Sequence, residues 1–266
     1  MRGKIVSFLQ RHPTLLKIAS SIHQKFSYLK ERLLGTSVKE REWATRHLRG
    51  GDDWCNSNIP GDPDEWVKGE WDSREHGHRR LLVETIARYE GISGILEVGA
   101  NCGPNLYLLS KRLPKAELVG VDINQFVVDK GNEFFAKEGI TNVKLLCQKA
   151  DDLGNFKDKS FDVVFTDAVL IYIGPDKIAK VMKDMVRLAR KAIVFVEYHS
   201  FDGDPNWQGV YYHGKWKRNY VEMFKKFVPS GQVRVTKITY DIWPDQRWSE
   251  VGAVVECLME KGVGES

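Results

Sequence analysis

The sequence predicts an α/β fold: a seven-stranded, mostly parallel sheet flanked by helices and preceded by an N-terminal helical extension. Three observations carry this prediction. From residue 77 onward, short apolar runs alternate with amphipathic helical segments; a glycine-bearing turn follows the first run; and a carboxylate closes the second.

The predicted strands are ILEVG (95–99), ELVGVD (117–122), VKLLCQ (143–148), FDVVFTD (161–167), AIVFVEY (192–198), VRVTKITY (233–240) and GAVVECLME (252–260). Between them, HRRLLVETIARYE, NLYLLSKRL, QFVVDKGNEFFAKEG, PDKIAKVMKDMVRLARK and KRNYVEMFKKF read as helices. Strand-helix alternation of this kind is the pattern of a parallel sheet covered on both faces.

Residues 1–75 differ in character. Residues 1–50 hold 11 Lys and Arg against 3 Asp and Glu, a net +8, whereas residues 51–266 hold 29 against 33, a net −4. The acidic remainder argues against a broad nucleic-acid groove. Leu15, Ala19, Ile22, Phe26, Leu29 and Leu33 recur at helical steps, with Lys17, Lys25 and Lys30 off the stripe. This basic amphipathic helix has two placements open to it: against the main domain or a second subunit, or, through residues 1–35, on an anionic membrane surface.

Residues 50–75 are expected to form a loop-rich connector with a short helical piece at most, covering the core through Trp54, Trp66 and Trp71. The expected division is thus an extension over 1–75 and a main domain over 76–266. The four cysteines, Cys55, Cys102, Cys147 and Cys257, form no CxxC pair, and no apolar run reaches the roughly 18 to 20 residues that span a bilayer, so a reducing cytoplasm is expected.

The chemistry concentrates after the first strand. Glu97, Val98 and Gly99 end it, Gly103 and Pro104 open a helix, and such a turn lets a ligand approach the backbone. Asp122 follows Gly99 at a spacing suited to accepting both hydroxyls of a ribose. A dinucleotide is disfavoured, because Asn101 and Pro104 stand where GxGxxG requires glycine.

ExGxxxG followed by an acidic second-strand end resembles the cofactor site of class I S-adenosylmethionine-dependent methyltransferases, over about residues 77–260. The resemblance implies a Rossmann-like fold, S-adenosyl-L-methionine as cofactor, and contacts to it from Glu97, Gly99, Ala100, Asn101, Gly103, Asp122 and the adjoining Ile123. Asn101 replaces a common glycine. Lys149 stands where many members carry an acid beside an alanine, here Ala150, so adenine recognition passes to Asp151 or to backbone groups. More narrowly, ILEVGANCGPNL, VFTDAVLIYIGPDKIAKV and IVFVEYHS resemble methylases linked to pseudaminic-acid-type sugar biosynthesis, which implies a sugar, nucleotide-sugar or lipid-linked glycan as acceptor; the alternatives are N- or O-methylation of another small metabolite, or a cofactor-binding scaffold without catalysis.

A hydroxyl acceptor needs a positioned base. His199, Asp167 and Glu197 are the candidates at the ends of strands four and five, with Asp167 also open to a cofactor contact. Tyr172, Tyr198, His213, Lys215 and Arg218 are candidates for holding the acceptor, the last three on an aromatic and basic loop near 201–219. Arg74, His76 and His78 are expected over the cofactor as a lid, and no metal is required.

Overall fold

The computed structural model describes Leu29, residues 35–48 and residues 62–259. The basic stripe of residues 1–34 and Trp54 therefore lie outside the described residues, Leu29 apart. Nine strands are present among the described residues: β1 (Gly94–Val98), β2 (Glu117–Asp122), β3 (Val143–Cys147), β4 (Phe161–Asp167), β5 (Ala189–Tyr198), β6 (Val210–Tyr212), β7 (Lys215–Lys217), β8 (Gln232–Lys237) and β9 (Gly252–Leu258).

Seven of them form the predicted sheet, in the order β3-β2-β1-β4-β5-β9-β8. The first five run parallel, and β9 enters antiparallel between β5 and β8. Strand order reverses between β1 and β4, where open parallel sheets leave a crevice at their carboxyl ends.

Burial explains why these runs pair. Ile95, Val163, Phe165, Val194 and Val196 belong to the core on one face, and Leu96, Val164, Ile193 and Phe195 to that on the other, the two-residue alternation of strands buried on both sides. Helices α2 (Pro63–Asp72), α3 (Gly77–Ala87), α4 (Pro104–Arg112) and α5 (Gln125–Lys137) supply the first face. Helices α6 (Ile178–Leu188) and α7 (Tyr220–Phe227) supply the second.

The connector is more helical than its composition predicts. Asp62 caps α2 by accepting from the backbone N–H of Asp64 and Glu65, Pro63 occupies the first turn, and Trp66 and Trp71 are buried, so local capping and burial outweigh the glycines and acids. Ahead of it, α1 (Ser37–Ala44) docks on the domain. Thr36 donates to Asp176 through its N–H (2.9 Å) and its hydroxyl (2.6 Å), and Asn124 donates to the Trp43 carbonyl. A short helix α8 (Gln246–Val251), capped by Asp245, precedes β9 and was not foreseen.

The loop near 201–219 contains the hairpin β6–β7 rather than irregular chain. Its Arg218 is fully buried and donates to the carbonyls of Gln208, Leu170 and Ile173. The expected substrate contact of Arg218 is therefore corrected: the guanidinium ties the hairpin to the turn after β4, because three carbonyls need donors there. Arg218→Ala should destabilise the fold by about 3 kcal/mol, since several buried acceptors lose their partners. Urea unfolding checks this, and an unchanged midpoint would contradict it.

Candidate active site

A cavity of about 690 Å³ opens at the carboxyl ends of β1, β2 and β4. That size accommodates a cofactor-sized ligand. Its floor is the turn after β1. Gly99 has φ +80, and a Cβ there would lie 2.3 Å from Val169 Cγ2; Gly103 has φ +87, and a Cβ would meet the Phe135 ring at 2.7 Å. Asn101 also adopts the left-handed region, φ 51, which asparagine enters more readily than most side chains, and its Oδ1 accepts from Cys102 N–H. This accounts for asparagine at a common glycine position. Gly103 shapes the turn and begins α4 without lining the cavity.

Asp122 organises the same turn. Its Oδ2 accepts from Asn101 N–H and its Oδ1 from Asn124 N–H, both at 2.9 Å. Each oxygen keeps a second lone-pair direction for a ribose hydroxyl. Ile123, Ala150 and Asp151 line the cavity beyond it, but Asp151 arrives paired with Lys177 at 2.8 Å. Lys177 also bonds Glu40 of α1, and Lys149 pairs with Glu40 at 3.3 Å. The departure at Lys149 thus has a local use: it fastens α1 across this edge.

At the other end, Glu97 and Asp167 face the start of α4. Asn105 Nδ2 donates to Glu97 at 2.7 Å and to Asp167 at 3.0 Å. Asp167 Oδ2 also receives Arg79 (2.9 Å) and contacts His78 Nε2 (3.0 Å). Burial raises the carboxyl of Asp167, but His78, Arg79 and Asn105 outweigh it and hold the group well below the usual carboxylate range. Glu97 is pushed up by burial, with the Asn105 bond opposing. Glu97 Oε2 and Asp167 Oδ1 are buried and accept no hydrogen bond. Two orphaned acceptors beside a glycine turn and a ribose-type carboxylate fit the ammonium of the methionine part of S-adenosylmethionine.

The expected bases fare differently. Asp167 is too firmly held as an anion to take a proton from a hydroxyl, a correction that follows from its three donors. Glu197 is fully buried and outside the cavity lining; Oε1 accepts from Thr166 Oγ1, Val169 N–H and Leu170 N–H, and Oε2 from Ile171 N–H. It holds the turn after β4, where Ala168 has φ 57, so a base role for Glu197 is corrected too. His199 is buried against Phe201, accepts from Tyr220 N–H, and is lowered to about 4 chiefly by burial. It does not line the cavity, which removes it as the base.

Among the acceptor candidates, Tyr172 and Lys215 line the cavity. His213 lines only an adjoining pocket of about 200 Å³, and Tyr198 lies behind the wall, edge-on to Trp248. His76 and His78, expected over the cofactor, do line the cavity; Arg79, Asn105, Trp243 and Trp248 line it as well and were missed. Arg79 and Asn105 carry no sequence signal beyond their helices, whereas the aromatic spacing Trp243-x₄-Trp248 was available as one.

Comparison with known proteins agrees with this geometry. Residues 95–192 match the family described as a methyltransferase domain. A fold match covers 73% of this chain and 97% of a SAM-dependent methyltransferase from Aquifex aeolicus, at 18% identity and TM-score 0.54. Another covers 84% of this chain and 98% of the geranyl diphosphate C-methyltransferase of Streptomyces coelicolor A3(2), at 11% identity and TM-score 0.58. Two uncharacterized proteins also match: RP028 of Rickettsia prowazekii, 26% identical over 41% of this chain, and YbxB of Bacillus subtilis, 35% identical over 25% of it. Those stretches span 44% and 33% of the relatives' own lengths. Residues 95–192 thus match a methyltransferase domain, and the chain has the fold of S-adenosylmethionine-dependent methyltransferases.

Asp122→Ala should weaken cofactor binding at least tenfold, since a hydrogen bond to a charged acceptor contributes about 1.5 to 3 kcal/mol. Isothermal titration with S-adenosylhomocysteine checks it, and an unchanged affinity would refute the ribose role. The raised Glu97 carboxyl adds a linkage. An ammonium bound beside it lowers its pKa, so binding expels a proton and tightens as pH rises through the free protein's Glu97 titration. Titrations in buffers of different ionisation enthalpy should show proton release, absent in Glu97→Gln.

Proposed function

We propose that this chain transfers a methyl group to a hydroxyl of a small polar acceptor bearing an acidic group, with a sugar or sugar conjugate as the favoured class. S-adenosylmethionine, when bound, would supply the methyl group on a sulfonium. The chain's own work is to hold the acceptor in line, exclude water and receive the hydroxyl proton.

One observation carries the acidic group: the setting of Lys215. It is partly buried and lines the cavity, with its Nζ 3.5 Å from Tyr198 Oη and over the rings of Tyr172 and Tyr198. Burial lowers its pKa, and among the described residues no carboxylate pairs with it. A partly buried ammonium in that position is stabilised by an anion brought by the ligand. The flat faces of Tyr172, Trp43 and Trp248 around the cavity suit a ring, and the sequence resemblance to sugar-linked methylases supports a sugar.

The relatives' acceptors vary, and include geranyl diphosphate in the Streptomyces enzyme, so the cavity rather than the fold supports the choice. Among the described residues, no helix is long and apolar enough to cross a membrane.

Labelled S-adenosylmethionine offered with acid-bearing sugars, neutral sugars and amines should mark the acid-bearing sugars. Transfer to amines alone would overturn the reading. Lys215→Ala should raise KM for the acidic acceptor about 10- to 100-fold, the loss of one charge-assisted bond, while S-adenosylhomocysteine affinity holds.

A further inference from the structure

With the three expected bases displaced, the cavity wall contains another arrangement. His76 precedes α3, and His78 lies in its first turn. Both line the cavity, with His76 partly exposed and His78 buried. Their Nδ1 atoms are in hydrogen-bond contact, and His78 Nε2 lies 3.0 Å from Asp167 Oδ2. Trp243 stacks on His78 with ring centroids 3.8 Å apart and meets the His76 ring edge-on at 5.2 Å, fixing both planes.

We infer that His76 is the general base of the transfer and that His78 and Asp167 are positioning residues that fix its tautomer. This rests on the hydroxyl-methylation reading above.

The hydrogen-bond partners determine the protons. Asp167 is an acceptor only, so His78 carries its proton on Nε2 and presents a lone pair at Nδ1. That lone pair must be met by a proton on His76 Nδ1, which leaves the basic lone pair of His76 on Nε2. In water the opposite tautomer, protonated on Nε2, predominates, so the chain of three groups holds His76 in the form that can accept a proton there.

The groups around the pair keep it neutral. Burial, His78 and Arg79 lower His76 to about 4 against an opposing Asp167, and burial lowers His78. As the acceptor oxygen takes the methyl group, its proton goes to His76 Nε2. The Nδ1 proton of His76 passes to His78 Nδ1, and the positive charge comes to rest on His78 beside the Asp167 carboxylate. No oxidant or metal enters this balance.

The assignment is read without turnover. In ¹⁵N-histidine-labelled protein saturated with S-adenosylhomocysteine, imidazole spectra should show His76 protonated at Nδ1 and His78 at Nε2 at neutral pH. His76→Gln and His78→Phe identify the signals. In His78→Phe, which keeps a ring against Trp243, His76 should revert to the Nε2-protonated form. An Nε2-protonated His76 in the native protein, or one unmoved by His78→Phe, overturns the relay.

Kinetics separate this inference from the reading beneath it. With an acidic sugar that the native protein methylates, His76→Gln should lower kcat by about 10²- to 10⁴-fold with S-adenosylhomocysteine affinity unchanged. Undiminished kcat refutes the base. Methylation of amines alone refutes the hydroxyl reading, whatever the tautomers.

Discussion

The Asp167 carboxylate is the constraint on which the site depends. It ends β4 in a buried position and draws in three side chains from two helices: His78 and Arg79 from α3, and Asn105 from α4. A buried anion is costly unless paired, and the same pairing that satisfies it sets where α3 begins against the sheet. Removing those donors would free the helix start that walls the cavity. The carboxylate's other oxygen is buried and accepts no hydrogen bond.

A second tier of contacts fixes the rims. Glu197 gathers the backbone N–H groups after β4 and holds a left-handed Ala168, while Arg218 gathers the carbonyls of the same turn from the opposite side. An acid and a base thus clamp one segment through its main chain. They are not paired with each other as an ion pair, and the segment they hold places Val169 against Gly99. The glycine is required there by this contact as much as by its dihedral angle.

How far the sequence carried the fold and site follows from the range of each interaction. The strands, the turn at Gly99 and Gly103, and the position of Asp122 are local patterns, and local patterns are readable. His199 and Glu197 were placed correctly at a strand end, but whether a side chain there faces the crevice depends on pleat and packing partners. Arg218 looked like a substrate ligand because basic residues on aromatic loops often are; only the tertiary fold showed three carbonyls around it. The His76, His78 and Asp167 grouping joins positions about 90 residues apart, and no spacing rule reaches across that distance.

The stacking of His78 on Trp243, and of Trp243 on Trp248 at 3.8 Å, has an optical consequence. Two indoles in van der Waals contact share excitation, and an imidazole against one of them quenches its emission more strongly once protonated. The stacked indoles therefore place a chromophore at the wall of the cavity, in direct contact with His78.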